Sequence, residues 1–215
     1  MADFGVDSCD PVDQTFLNSV VDEYGWPIFW GRYLSNIPAC PNGAPTANEV
    51  SFLHGGNQQG RYIYILLIQN NIAENEPSYS QGISAAFNTQ GALSLLGVPS
   101  GKVAFADIED WAMTSDWIRG WCDGMAQSQW GYGLYCTPSA VQSNFCQAML
   151  IDNNVANCVI YSNEPQTGSC AAGADWNPDN ICCPSVCMET KVWQYHISCP
   201  DNVDLNETID LSLMW

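Results

Sequence analysis

The chain has 215 residues, of which 47% are hydrophobic and 13% are charged, so it can bury a sizeable core. Acidic residues outnumber basic residues by 23 to 5, which gives a formal net charge of -18 at pH 7. A surface of that sign repels phosphate groups, which excludes nucleic acid as a partner and disfavours docking on anionic membranes. Because no run of 18 apolar residues occurs, we also expect no membrane insertion.

Strand-like and helix-like segments alternate along the chain. Helices are predicted over 13–24, 79–96, 115–128 and 138–150. A further helix is predicted to begin at Thr46, because Thr46 and Glu49 form a capping-box pattern. Strands are predicted over 4–7, 28–34, 62–69, 102–109, 131–136, 158–161, 192–197 and 203–205. Eight strands separated by helical patterns are typical of an α/β protein. We therefore predict a TIM-like (β/α) barrel, regular or degenerate, forming a single domain over 1–215.

The segment 164–189 interrupts this alternation with Gly, Pro, Asn and four cysteines, and it predicts a disulfide-rich loop or insertion before the last strands. The chain has eleven cysteines, a density that favours an oxidising, extracellular compartment, although no signal peptide is visible in this chain. An odd count leaves at least one thiol unpaired, which allows self-association through that cysteine. The spacings do not fit a zinc site, so we expect no metal and no cofactor.

A pair of carboxylates follows the most informative strand. Asp107 and Glu109 end the segment 102–109, and alternation along a strand places both on one face, with Ile108 toward the helices. Repulsion between two such groups raises one pKa, which leaves one acid and one anion, as glycosidic cleavage requires. Asp7 and Asp204 lie near other strand ends and are candidates for the same cluster. The alternative is chance, because 23 acidic residues make Asp-x-Glu easy to find.

Several other residues near strand ends allow two interpretations. The candidates for stacking on sugar faces are the rings of Trp111, Trp193, Tyr195, Trp30 and Tyr33, and core packing is the alternative for each of them. Arg32 is either an internal ion-pair partner for the acidic residues at the barrel mouth or a substrate contact. Asn206 begins a single Asn-Glu-Thr sequon, which makes it a glycosylation candidate of low specificity, since one match is expected by chance in a chain of this length.

Four short motifs occur in an order that resembles glycoside hydrolase family 25, the lysozyme-type muramidases. They are Gly5-Val6-Asp7, Asp107-Ile108-Glu109, Trp193-Gln194-Tyr195 and Val203-Asp204-Leu205-Asn206. Each motif is weak alone, whereas the ordered set is fairly specific and extends over nearly the whole chain.

The chain is more similar still to a related glycoside-hydrolase-like domain of unknown function in secreted microbial proteins. The second strand carries Arg32-Tyr33, a helix with Glu49 follows, and the next strand ends in Gln69. This resemblance adds Arg32, Tyr33 and Gln69 to the candidate substrate-binding residues.

The resemblance implies a (β/α) barrel with an acidic groove and Glu109 as the acid/base. Asp107 would orient the 2-acetamido group of the substrate in a substrate-assisted, retaining mechanism. Asp7 and Asp204 would hold this pair in position, and Trp193 and Tyr195 would line the groove. The glycan is the implied partner.

Two functions are compatible with these observations. The first is a secreted glycoside hydrolase acting on N-acetylhexosamine glycans such as peptidoglycan. The second is a non-catalytic extracellular protein on the same barrel, which binds glycan or assembles into a surface layer or fibre. The acid pair favours the enzyme, whereas the odd cysteine count and the scarcity of Lys and Arg favour the structural protein.

Overall fold

A computed structural model describes residues 2–69, 77–108, 112–166 and 168–215. These residues form the strands β1 (Asp3–Asp7), β2 (Phe29–Tyr33), β3 (Tyr64–Gln69), β4 (Val103–Asp107), β5 (Gly131–Cys136), β6 (Val159–Asn163), β7 (Ile181–Cys183), β8 (Val186–Met188), β9 (Thr190–Cys199) and β10 (Val203–Thr208). They also form the α-helices α1 (Gln14–Tyr24), α2 (Ala47–Leu53), α3 (Tyr79–Leu96), α4 (Ser115–Ala126) and α5 (Pro138–Ile151), and short 3-10 helices at Asn153–Asn157, Pro200–Asn202 and Leu211–Leu213.

Eight of the strands close into a barrel in the order β1-β10-β9-β6-β5-β4-β3-β2. The prediction of an α/β barrel is thereby confirmed. Neighbouring strands are parallel around the barrel except at β10, which is antiparallel to both β9 and β1. Only Pro200–Asn202 connects β9 to β10. A connection of three residues cannot hold a crossover helix, so the last strand must run back beside β9.

Two apolar layers stabilise the barrel, one on each face of the sheet. The inner layer fills the barrel with large side chains, chiefly Phe29, Leu66, Phe105 and Val192. An added Cβ at Gly133 would collide with the ring of Phe105, so a glycine gives this ring its space. The outer layer packs the other face of the strands against the helices, and it includes Val6, Trp30, Leu67, Leu134, Ile160, Trp117, Trp121 and Ile108.

The cysteine-rich segment carries a β-hairpin that the sequence did not predict, formed by β7 and β8. One disulfide attaches this hairpin to α5, and another attaches the segment to β9, which confirms the prediction of a disulfide-rich insertion before the last strands. The four bonds are Cys9–Cys40, Cys146–Cys183, Cys170–Cys199 and Cys182–Cys187.

All eleven cysteines lie in the described part of the chain, and three of them, Cys122, Cys136 and Cys158, are free and buried. Burial raises the pKa of the Cys122 and Cys136 thiols, which keeps both protonated. An intermolecular disulfide through any of the three would therefore require local unfolding. Self-association through an unpaired cysteine gains no support from these positions.

Candidate functional site

A network of buried polar side chains meets at Asp7, the last residue of β1. Asp7 is 2% exposed, and its Oδ2 accepts hydrogen bonds from Asn206 Nδ2 at 2.7 Å and from Gln194 Nε2 at 3.1 Å. The hydroxyl of Tyr161 donates to Asn206 Oδ1 at 2.7 Å and lies 3.3 Å from Asp7 Oδ2. A buried carboxylate needs such donors, because burial without them costs several kcal/mol, on the order of an unpaired buried charge. The network therefore fixes Asp7 rigidly at the barrel mouth, which is the end of the barrel where the parallel strands end.

Gln194 connects this carboxylate to a second one. Its Nε2 also donates to Asp204 Oδ2 at 3.1 Å, and its Oε1 accepts a hydrogen bond from the Tyr135 hydroxyl. Asp204 Oδ1 accepts from the backbone N–H of Ser198 at 2.6 Å. Burial raises the pKa of Asp204, because desolvation penalises its charged form more than the Ser198 hydrogen bond favours it.

Strand pairing explains why Asp7 and Asp204 meet. Asp7 is paired with Asp204 across β1 and β10, and with Gly31 across β1 and β2. A Cβ at Gly31 would collide with the Cβ of Asp7. The absence of a side chain at Gly31 is therefore what allows Asp7 to occupy this position.

A cavity of about 460 Å³ opens beside the network. Its lining includes the carboxylate of Asp204 together with amide and hydroxyl side chains, and it consists of Tyr135, Thr137, Asn163, Pro165, Gln194, Ile197, Ser198 and Asp204. Such a lining offers many hydrogen-bonding groups and few apolar ones, which suits a ligand rich in hydroxyl groups better than an apolar one.

Asp107 is the last residue of β4. It is half-buried and is paired across the parallel strands with Tyr135, which lines the cavity. Ile108 packs in the outer apolar layer, as alternation predicted. Glu109 and Trp111 lie outside the described residues, so the shared face predicted for Asp107 and Glu109 stays a prediction.

Trp193 and Tyr195 are placed away from the network. Both are buried on the outer face of β9, with exposed fractions of 2% and 0%, whereas Gln194 between them faces the barrel interior. Trp193 Nε1 donates to the carbonyl of Glu164, and the Tyr195 hydroxyl accepts from the backbone N–H of Gly173. In this conformation the two rings support the cysteine-rich segment and do not border the cavity.

Arg32 forms the internal ion pair that was one of its two interpretations. Its guanidinium is fully buried, with Nε 2.7 Å from Glu49 Oε1, and it also donates to the carbonyls of Ser8 and Asn42. Glu49 was predicted to complete a capping box. Its backbone N–H does bond Thr46 Oγ1, but its side chain binds Arg32 and the Val12 N–H instead.

The remaining predicted residues are near strand ends with contacts of their own. Gln69 is buried and donates to Ser35 Oγ at 3.1 Å, while Tyr33 packs against the inner apolar layer. Asn206 was a glycosylation candidate, but its side chain is fully buried and bonded to Asp7. The folded protein therefore does not present this amide to a glycosylating enzyme.

The roles of Gln194, which bridges the two carboxylates, and of Tyr135 and Tyr161, which bond the amides of the network, were not predicted from the sequence. A usable signal was present: alternation places Gln194 on the face opposite Trp193 and Tyr195, and places Tyr135 on the same barrel face as Asp107.

Within the described ranges, no group of three or more His, Cys, Asp or Glu side chains is arranged to hold a metal ion. Among those residues, no helix combines the length and hydropathy needed to cross a membrane.

No model of a known protein family matches the chain. No curated protein matches it either. Solved structures do match. An uncharacterized protein of B. stearothermophilus is 29% identical, with a TM-score of 0.87 and 99% of each chain covered.

Two more distant structures share the fold. A Tat-secreted protein of Mycobacterium tuberculosis is 14% identical, with a TM-score of 0.62 over 97% of this chain and 96% of the other. A glycosyl hydrolase 25 of Streptococcus pneumoniae, described as a virulence factor participating in host cell invasion, is also 14% identical. Its TM-score is 0.58 over 97% of this chain and 88% of the other. The chain thus has a glycoside hydrolase-like fold.

Proposed function

We propose that this protein is a secreted glycoside hydrolase that cleaves N-acetylhexosamine glycans such as peptidoglycan, with Glu109 as its acid/base. One observation carries the proposal: Gln194 bridges Asp7 and Asp204 at the end of the barrel where the parallel strands end, and Asp107 is the last residue of one of those strands, β4. The active sites of such barrels are built where the parallel strands end. The resemblance in motifs and the shared fold support the same conclusion.

The proposed reaction assigns a role to each carboxylate. Glu109 gives its proton to the glycosidic oxygen while the substrate's acetamido oxygen attacks the anomeric carbon, and the bond to the leaving sugar breaks. Asp107 holds the acetamido N–H and stabilises the positive charge of the resulting oxazolinium ring. Water then opens that ring at the anomeric carbon and returns a proton to Glu109. Asp7 and Asp204 act through their hydrogen bonds as positioning residues.

Tyr33, Gln69, Trp111 and Arg32 are assigned to the walls of the groove rather than to the chemistry. For Arg32 this role is indirect, because its guanidinium is held by Glu49 and two carbonyls. Secretion is part of the proposal. It is supported by four disulfides, which persist in oxidising compartments, and by the shared fold with a Tat-secreted protein.

A non-catalytic glycan-binding protein is the second candidate, and one observation favours it. The buried Asp7 carboxylate is already occupied by donors from this chain, as in a framework built to hold its shape. The cavity beside Asp204 still offers hydroxyl and amide groups to a sugar. Binding without cleavage would use that cavity alone.

The test measures release of reducing ends from purified peptidoglycan and from chitin oligomers. The wild-type chain is compared with Glu109→Gln, which keeps the shape of the side chain but cannot transfer a proton. We expect turnover to fall about 10²–10⁴-fold in this variant. Glu23→Gln on the exposed face of α1 is the matched control and should retain full turnover.

Turnover by the wild type that survives Glu109→Gln would overturn the role of Glu109. Absence of turnover on both substrates would overturn the hydrolase. Saturable binding of the same glycans, weakened by Gln194→Ala, would then establish the second candidate.

A further inference from the structure

A second cavity lies away from the barrel mouth, on the outer face near the start of β1. Its volume is about 440 Å³, and its lining is Ala2, Phe4, Gly173, Ala174, Asp175, Trp176 and Glu207. Glu207 pairs with Phe4 near the beginning of β1, three residues before Asp7. The side chain of Glu207 lies on the opposite face of β10 from Asn206, because side chains alternate along a strand. This cavity is therefore separate from the Asp7 network.

The cavity contains a buried carboxylate oxygen without a partner. Glu207 is 4% exposed, and its Oε1 accepts the backbone N–H of Ala174 at 2.9 Å. Its Oε2 is buried and has no hydrogen-bond partner among the described residues. A buried acceptor left in this state destabilises the folded protein, and more so when it is charged. Binding of a donor would remove that destabilisation.

The rest of the cavity is lined by aromatic and acidic residues on a segment that is bonded to the barrel. Trp176 packs edge-to-face on Trp193, with ring centroids 6.1 Å apart, and Phe4 lies on the neighbouring strand. Asp175 adds a second carboxylate, and no Lys, Arg or His is among the lining residues described. The Cys170–Cys199 disulfide and the bond from Gly173 to Tyr195 hold this wall against the barrel.

We propose that this cavity binds an alkylammonium group, such as a lysine side chain or a free primary amine. The ammonium donates a charge-assisted hydrogen bond to Glu207 Oε2, while its methylene chain packs against Trp176 and Phe4. The aromatic faces and the Asp175 carboxylate add attraction for the same cation. An anion is excluded by the two carboxylates. A neutral sugar would leave the two carboxylates without a counter-charge, so the cation is favoured.

The experiment follows the indole N–H of Trp176 by NMR in the full-length ¹⁵N-labelled chain. The first probe is Nα-acetyl-L-lysinamide, and n-butylammonium is the second. The neutral Nα,Nε-diacetyl-L-lysinamide and N-acetylglucosamine are controls. We expect both ammonium probes to shift the Trp176 signal saturably, and the neutral compounds to leave it unchanged. Equal affinity for the two probes would assign recognition to the alkylammonium alone, and tighter binding of the lysinamide would assign the site to a lysine within a peptide.

Glu207→Gln should weaken binding of the ammonium probes at least about tenfold, as expected for loss of a charge-assisted hydrogen bond. Trp176→Leu should also weaken it, as measured from the shifts of other cavity residues. Glu189→Gln, an exposed carboxylate that pairs with Lys191, is the matched control and should leave affinity unchanged. Circular dichroism establishes that each variant is folded.

The proposal is overturned if no probe causes a saturable shift, if a neutral compound binds as well as the ammonium, or if folded Glu207→Gln binds with wild-type affinity. Because neither Glu109 nor Asp107 enters this experiment, its result is independent of the test for glycan cleavage.

Discussion

The two halves of the barrel interior use the same alternation of side chains for different purposes. Where the parallel strands begin, the inward positions are apolar, as at Phe29 and Val103. Where they end, the inward positions on one side of the barrel carry Asp7, Asn206 and Gln194. Facing inward therefore does not identify a core residue in this protein. The strand and the position along it together decide whether an inward side chain fills space or joins the polar network, since Ile68 near the end of β3 belongs to the apolar layer.

The two halves are also stabilised differently. The apolar half gains free energy from burial in proportion to the area removed from water. The polar half must first give up hydration and recovers that loss only through its mutual hydrogen bonds. Substitutions in the apolar half should therefore affect stability most, whereas those in the polar half should affect stability less and the site more.

The largest effect on stability is expected from Phe105→Ala in the apolar half. Phe105 is fully buried and packs edge-to-face on Tyr161, with centroids 5.5 Å apart. Loss of the ring leaves a cavity and should lower the free energy of unfolding by about 3–5 kcal/mol. Urea unfolding measures this change. Phe87→Ala, at an exposed position of α3, is the control and should change it by less than about 1 kcal/mol.

Asp7→Ala should lower the free energy of unfolding less, by about 2–3 kcal/mol, because Asn206 Nδ2 and Gln194 Nε2 lose their shared acceptor. It should also abolish any glycan turnover, since Asp204 would lose its bridged partner. Parallel urea unfolding and reducing-end assays test both effects. Asp22→Ala on the exposed face of α1 should change neither. A stable and active Asp7→Ala protein would show that the polar half is dispensable.

Tyr161→Phe isolates one hydroxyl at the boundary between the halves. It removes the hydrogen bond to Asn206 Oδ1 while keeping the ring that packs on Phe105. We expect a loss of about 1 kcal/mol in the free energy of unfolding. Tyr62→Phe, at a half-exposed ring, is the matched control and should be close to neutral. A loss as large as that of Phe105→Ala would erase the distinction between the halves.

The smallest effect, and the most specific, is the pH dependence of Asp204. Burial raises its folded-state pKa above the unfolded value, so the folded chain binds more protons between those two pKa values. The contribution of Asp204 to stability is therefore present below the unfolded pKa and declines as the pH rises toward the folded pKa. Asp204→Asn removes this decline. Urea unfolding at pH 3.5 and pH 7 should show the variant gaining relative to wild type at the higher pH, and a constant difference would contradict the prediction.

Much of the fold could be predicted because its signals are local. The apolar runs and capping residues located the barrel strands and helices to within a few residues. The direction of β10 was also available in principle, since three residues cannot span a crossover. The ion pair of Glu49 could not be predicted from the sequence. Its partner Arg32 is brought to it by the pairing of β2 with its neighbours rather than by the helix itself.

The site was only partly predictable for a similar reason. Asp7 and Asp204 were identified from strand ends, but the residue that bridges them, Gln194, was not. The candidates named on its strand were the two aromatic neighbours of Gln194. Trp193 and Tyr195 have the chemistry of sugar platforms, and only the face on which they lie separates that role from packing. Sequence pattern gives the alternation but not its phase relative to the barrel axis, unless one inward residue of the strand is known.

The pairing of β1 with β10 has a consequence for how the barrel is made. Residues 3–7 pair with residues 204–208, so closure joins nearly the two extremes of the described chain. Such a non-local contact is slow to form, because loop-closure entropy must be overcome first. Until it forms, β1 and β10 each present an unpaired edge that other chains can extend. The antiparallel strand that brings Asp204 to Asp7 is therefore also what protects the folding chain from edge-to-edge aggregation.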